Sequence, residues 1–197
     1  LSVSSKHPDA EDFIDAKLEQ GKVTGANVSV RIDDKFMRAV ISGKKYVQQY
    51  PIESKNPTFT KEVDASKIWD KIIYNAWKSA EPGVLFWDTI IRESVADCYA
   101  DLGYKTVSTN PCGEIPLCPY DSCRLLAINL YHYVKNPFTP ESSLDFDLFA
   151  KHVQIAQRLM DDIIDLEIEK IDGILAKVER DPEDSIMKSV EKNLWEK

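Results

Sequence analysis

Between positions 110 and 123 the chain carries Asn110-Pro111-Cys112-Gly113-Glu114 and, eleven residues after Cys112, a second thiol at Cys123. An amide, a thiol and a carboxylate that can serve as a base, all within five residues, are groups able to engage a polyhydroxylated molecule at three neighbouring atoms. Alternate side chains share a face in an extended segment. Asn110, Cys112 and Glu114 are therefore expected in one row, with the small Pro111 and Gly113 letting the backbone lie close to whatever packs behind. Other readings stand beside this one. A lone Cys is usually a small buried hydrophobe, Glu114 can be a solvent-facing acid, and Asn before Pro is commonly a turn residue.

Such a row needs a scaffold, and the surrounding pattern predicts one. Leu1–Ser5 alternates as a short strand, and Asp9 begins a helix through Phe13, Ile14 and Leu18 toward Gly21. Val28 and Val30 mark a second strand, after which Asp33 or Asp34 caps a helix ending near Gly43. Residues 46–60, with Pro51 and Pro57, read as a hairpin or surface excursion. A helix over 65–79 presents Ile68, Trp69, Ile72, Ile73 and Trp77, and Val84–Trp87 reads as a short buried strand. Residues 93–108 look irregular, and Leu125–Tyr133 reads as a buried strand. A long helix then runs from Ser143–Asp147 past Ile171, with Asp172-Gly173 able to bend or end it. Trp69, Trp77 and Trp87 are read as core residues and His7 as a cap or turn residue. Strands alternating with helices give an α/β fold.

Composition narrows the functional classes. With 43% hydrophobic and 29% charged residues, the chain reads as soluble and globular. No apolar run approaches the roughly 20 residues of a membrane span. The net charge is −8, and positions 161–197 hold twelve acidic residues against six Lys or Arg. That is the wrong sign for binding a nucleic-acid backbone, so the acidic stretch is read as a solvated helical face. The cysteines at 98, 112, 118 and 123 include no Cys-x-x-Cys pair, and only three His are present. A structural zinc site and a secreted disulfide framework are both poor fits. Cys98 and Cys118 are read as packing residues. No Walker loop or Gly-x-Gly-x-x-Gly cradle is present.

The motif residues resemble the catalytic finger loop of ribonucleotide reductases. The resemblance rests on Asn110-Pro-Cys-Gly-Glu114, the Ile-Pro-Leu that follows, and Cys123 six residues before Asn129-Leu130. Ser5-Lys-His-Pro-Asp9, Asn27-Val-Ser-Val30, Asp34-Lys-Phe-Met37 and Glu81-Pro-Gly-Val-Leu-Phe-Trp-Asp88 agree in order, over about residues 1–166. The wording resembles the adenosylcobalamin-dependent (class II) branch more than the di-iron (class I) branch. Ile91 departs from the family's Asp-x-Ile-Asn-Arg pattern, so any role of that Asn is absent.

The resemblance implies a ten-stranded α/β barrel with the 110–114 loop threaded through its centre. Residues 1–197 would then be a single partial domain cut from that barrel, and about 167–197 an acidic helical extension. A first residue other than Met agrees with a piece of something larger. The resemblance further implies radical reduction of ribonucleotides to deoxyribonucleotides, with adenosylcobalamin as cofactor. Cys112 would carry a thiyl radical that removes the 3′ hydrogen of the ribose, Glu114 would act as base on the 3′ hydroxyl, and Asn110 would hydrogen-bond the substrate hydroxyls. Residues 110–114 together would contact the substrate. Cys123 would be one of two thiols that end as a disulfide, its partner lying upstream of Leu1. Implied partners are a ribonucleotide, a thioredoxin-like reductant acting through a region C-terminal to this chain, and a second copy in a homodimer; the setting is cytoplasmic, with no nucleic acid and no membrane. Two alternatives remain: the large subunit of a di-iron enzyme, and a truncated piece inactive on its own.

Overall fold

The computed structural model describes residues 1–19 and 21–196. Gln20 and Lys197, expected near the end of the first helix and of the acidic extension, lie outside the described residues. The chain divides into two compact units, Leu1–Cys123 and Arg124–Lys197.

The first unit is built on a parallel sheet. Strand β1 (Ser2–Ser4) leads through a short helix α1 (Ala10–Ile14) to β2 (Ser29–Ile32). Helix α2 (Asp34–Ser42) follows, then an antiparallel hairpin of β3 (Lys45–Tyr50) and β4 (Phe59–Asp64). Helix α3 (Ala65–Ser79) returns the chain to β5 (Gly83–Phe86), which pairs with β2 so that the order is β1-β2-β5, all parallel. Helix α4 (Trp87–Glu93), a 3-10 segment (Ala96–Leu102) and a small antiparallel hairpin, β6 (Ser108–Thr109) and β7 (Pro116–Leu117), complete the unit.

The period of two along β2 decides what lies on each face of this sheet. Val30 and Ile32, at 0% and 1% exposure, point into a core with Ile14, Phe36, Ala39, Ile68 and Ile72. Register places Ser2, Ser4, Ser29, Arg31, Gly83 and Leu85 on the opposite face. Helices α1, α2 and α3 supply that core, while the other face carries three serines, Gly83, Arg31 and the buried Leu85.

The helix boundaries follow from local hydrogen bonding. Asp33 Oδ1 accepts from Phe36 N at 2.6 Å, and its Oδ2 accepts from the Tyr46 hydroxyl at 2.9 Å. Burial and the neighbouring Asp33 and Asp88 carboxylates raise the Tyr46 pKa, against the opposing influence of the nearby Ser5 side chain. Gly43, at φ +62°, ends α2 in the left-handed region, with Lys44 N donating to Ala39 O. Asp64 caps α3 through Ser66 N and Lys67 N.

Arg124–Lys197 is a separate unit. A 3-10 turn (Leu130–Tyr133) precedes paired β8 (Val134–Lys135) and β9 (Ser143–Leu144). Asp145 caps α5 (Phe146–Arg180) through Leu148 N, and α6 (Ser185–Trp195) follows. Tyr133 sets its ring edge-on to Phe149 at 5.3 Å and shares a 3.0 Å hydrogen bond with His152 Nδ1. Lys192 reaches from α6 to Glu179 on α5 at 2.7 Å.

Several expectations are corrected. Residues 125–129 form no ladder and 130–133 form a 3-10 turn; Leu125 is 72% exposed. An apolar run is compatible with either state, and no strand among the described residues pairs with this one. Trp77 is 79% exposed, because it stands well off the α3 stripe of Ile68, Ile72 and Asn75. Helix α1 stops at Ile14, whose carbonyl is held by buried Asn75 Nδ2 at 2.9 Å. Residues 93–108 contain the 3-10 segment, and Cys98 within it is exposed rather than packed. Helix α5 passes through Gly173 and ends before Pro182. The content is mixed α and β, as expected.

Candidate active site

Residues 110–115 are the tip of the β6–β7 hairpin, and their local bonding replaces the expected extended row with a turn. Gly113 N donates to Asn110 O at 3.0 Å, Asn110 N donates to Ile115 O at 3.1 Å, and Asn110 Oδ1 accepts from Ile115 N at 2.9 Å. Asn110 thus holds the loop with its backbone N–H, its carbonyl and its side-chain oxygen, leaving the amide nitrogen as the group able to donate outward. The turn gives Gly113 a φ of +83°, where a side chain is strained. A Cβ there would also stand 3.1 Å from Leu85 Cδ2, so the tip lies close against the face of the sheet opposite its helical core.

This conformation places the candidate groups differently from a strand. Cys112, Glu114 and Pro111 are exposed at the tip, while Asn110 and Gly113 are half-buried. Ser2, Ser29, Ser108, Thr109 and Pro111 line a small cleft beside it. An apolar hollow of about 680 Å³, lined by Ile90, Val95, Ala96, Tyr99, Ile115 and Pro116, opens on the other flank. A thiol and a carboxylate two residues apart thus stand exposed at the tip of a loop closed by three hydrogen bonds.

The stem is tied from a direction that sequence reading did not anticipate. Asp97 accepts from Thr106 N at 3.1 Å and from Thr106 Oγ1 at 2.5 Å, and Thr106 is 2% exposed. Desolvation works against the Asp97 carboxylate, but the two Thr106 bonds, with Ser94 and Lys105, hold its pKa below the ordinary value. The sequence signal was slight: an Asp in the irregular stretch and a Thr two residues before the hairpin.

The four thiols are free and differ in setting. Cys98 Sγ donates to Val95 O at 2.9 Å. Cys123 is exposed in a stretch without regular structure. Cys118 is half-buried, and its thiol and backbone N–H both donate to Asp121 Oδ2, at 3.5 and 3.4 Å. Burial first, then the Asp121 carboxylate, pushes the Cys118 thiol above its ordinary pKa. Alkylation proceeds through the thiolate, so the rate curve for Cys118 is displaced to higher pH. Asp121→Asn removes the anion and shifts that curve to lower pH, so labelling of Cys118 at neutral pH is expected to quicken. Peptide mapping after timed iodoacetamide labelling checks this, and an unchanged Cys118 profile contradicts it.

Among the described residues, no group of three His, Cys, Asp or Glu side chains is placed to hold a metal ion, and no helix is long and apolar enough to cross a membrane. Comparison with known proteins places the loop in a wider context. The family described as ribonucleotide reductase, barrel domain, matches residues 1–181. A vitamin B12-dependent ribonucleoside-diphosphate reductase of Thermoplasma acidophilum is 39% identical over 160 residues, covering 81% of this chain and 19% of that protein. The enzyme of the same name from Mycobacterium tuberculosis strain H37Rv is 34% identical over 161 residues, 81% of this chain and 21% of its own. A putative adenosylcobalamin-dependent ribonucleoside-triphosphate reductase of Mycobacterium phage D29 is 31% identical over 145 residues, 72% of this chain and 17% of its own. The chain spans about a fifth of the length of the curated relatives it matches.

Proposed function

This chain belongs to the ribonucleotide reductase barrel-domain family, and on that premise we propose that it is the part of an adenosylcobalamin-dependent ribonucleotide reductase that carries the catalytic loop. The observation that carries this reading is the closed 110–115 turn, which presents Cys112 and Glu114 at its exposed tip beside Leu85, on the face of a parallel sheet opposite its helical core. The family reading makes that face the interior of a ten-stranded barrel to which residues 1–197 contribute one arc, and 167–197 a helical extension. In support, β1 and β5 are both edges of the sheet among the described residues.

The loop's residues divide the chemistry. Cys112, as a thiyl radical, takes the 3′ hydrogen of the ribose and returns a hydrogen when reduction is complete. Glu114 takes the proton of the 3′ hydroxyl, and the Asn110 amide nitrogen donates to the substrate hydroxyls. Cys123 and a second cysteine outside this chain give two electrons and two protons to the 2′ position, release its hydroxyl as water, and end as a disulfide. Adenosylcobalamin, when bound, supplies the radical, and the exposed thiol of Cys112 on a hydrogen-bonded turn fits a cofactor that must come close to it. A thioredoxin-like reductant, a homodimeric assembly and a cytoplasmic setting are the finer parts of the same reading. Relatives whose names specify vitamin B12 favour the cobalamin branch over the di-iron one.

The test is anaerobic assay of the complete product of this reading frame with ribonucleoside di- and triphosphates and a dithiol. Deoxyribonucleotide is expected only with adenosylcobalamin. Turnover that needs a second protein subunit instead supports the di-iron alternative, and no turnover under either condition overturns the reading.

Residues 1–197 alone are expected to be inactive. Leu125 and Phe86 stand 72% and 50% exposed, and β1 and β5 are sheet edges among the described residues, features that favour association. Without the partner thiol of Cys123 the cycle cannot close. Expression of these residues, followed by hydrogen exchange and a reduction assay, is expected to show weak amide protection and no product. A well-protected monomer or steady turnover would refute this.

A further inference from the structure

Arg31 and Leu85 face each other across the β2–β5 ladder, on the side of the sheet opposite the core formed with α1, α2 and α3. Leu85 is the residue against which Gly113 rests. Arg31 Nη1 donates to Val107 O at 3.4 Å, at the root of the same hairpin. One rung of the sheet therefore touches the catalytic loop at both its stem and its tip.

Arg31 is also held by an aromatic ring. Its guanidinium lies over the Trp87 ring, 4.8 Å from the centroid, where a planar cation meets the negative face of the indole. Its Nε is buried without a hydrogen-bond partner, and Glu53 is the charged neighbour that favours the cation. Desolvation lowers the Arg31 pKa, so placing it there costs free energy that an apolar residue would not incur. A stacked cation reaching one carbonyl is a directional support, which an aliphatic side chain in the same slot would not provide.

We propose that Arg31 is a positioning residue: clamped on Trp87 and bonded to Val107, it fixes the height and direction of the 110–115 loop over the sheet, and with it the approach of Cys112 to substrate. This rests on the proposed reductase reading. It adds a residue outside the Asn110–Glu114 motif, one that acts through the loop and does not touch the substrate.

The experiment uses the complete protein and the variants Arg31→Met and Arg31→Lys. For Arg31→Met, kcat is expected to fall about tenfold with KM within twofold of wild type, since binding groups are intact and only the reacting thiol is misplaced. Hydrogen exchange over residues 107–117 is expected to quicken about tenfold while β2 and β5 keep their protection. Arg31→Lys, which retains charge without the planar stack, should fall between. The exchange arm needs no turnover, so it stands even if the wild-type protein reduces no nucleotide. Unchanged exchange over 107–117 in Arg31→Met overturns the proposal. Equal loss of protection across β2 and β5 also overturns it, because Arg31 would then be a residue of the fold. A rise in KM with unchanged kcat overturns it by making Arg31 a substrate contact.

Discussion

Replacing Cys112 by Ser is expected to abolish nucleotide reduction in the complete protein while leaving the fold intact. The thiol sits exposed at the tip of a turn closed by Asn110 and Gly113, and those bonds do not involve its sulfur. Oxygen for sulfur at an exposed site leaves no cavity, so stability should move by less than about 0.5 kcal/mol. The reaction has no such tolerance. An S–H bond is weak enough to be broken and re-formed in each cycle, whereas the O–H bond of Ser is too strong to yield a radical there. Activity should fall below about one per cent, a barrier increase of at least roughly 2.7 kcal/mol. The measurement is deoxyribonucleotide formation alongside thermal unfolding and nucleotide binding. Retention of more than a few per cent of the activity, with the variant folded, removes Cys112 from the mechanism.

The parts legible in the sequence are those fixed by local bonding. The α3 boundaries follow from Asp64 as cap and from a stripe of Ile68 and Ile72. Helix α2 follows likewise from Asp33 and Gly43. The candidate residues Asn110, Cys112 and Glu114 stand out in the sequence because an amide, a thiol and a carboxylate lie within five positions, and the structure gathers them in one turn. Their conformation was not legible in the sequence. The alternation rule assumes extended backbone, but the bonds of Gly113 N to Asn110 O and Ile115 N to Asn110 Oδ1 make a turn, and Pro111 with Gly113 suits a turn at least as well as a strand.

What remained hidden was nonlocal. Arg31 stands 76 positions from the carbonyl it bonds, and nothing in Ser29-Val30-Arg31-Ile32 says which hairpin will cross that face. The exposed Leu125 and Trp77 show the converse. An apolar side chain signals burial only when a neighbour arrives to cover it, and that neighbour is not encoded nearby.

Changing Cys123 to Ser is expected to split the reaction rather than prevent it. If Cys112 initiates the chemistry and Cys123 supplies reducing equivalents, the variant still activates the ribose. It then cannot complete the reduction at the 2′ position, so decomposed substrate should be released in place of deoxyribonucleotide. The nearby Cys118 is the one residue of this loop region that could mask the result. Its thiol is half-buried and donates to Asp121 Oδ2, and burial together with that carboxylate keeps it protonated to higher pH. A protonated thiol is a poor partner in disulfide exchange, so Cys118 should not rescue the variant. Product analysis with a dithiol reductant distinguishes the cases: base release without deoxyribonucleotide is expected. Normal cycling of Cys123→Ser, lost again when Cys118 is also changed to Ser, would move the reducing role five residues upstream. Complete absence of substrate decomposition would instead place Cys123 in initiation, a role its exposed position outside the closed turn gives no reason to assign.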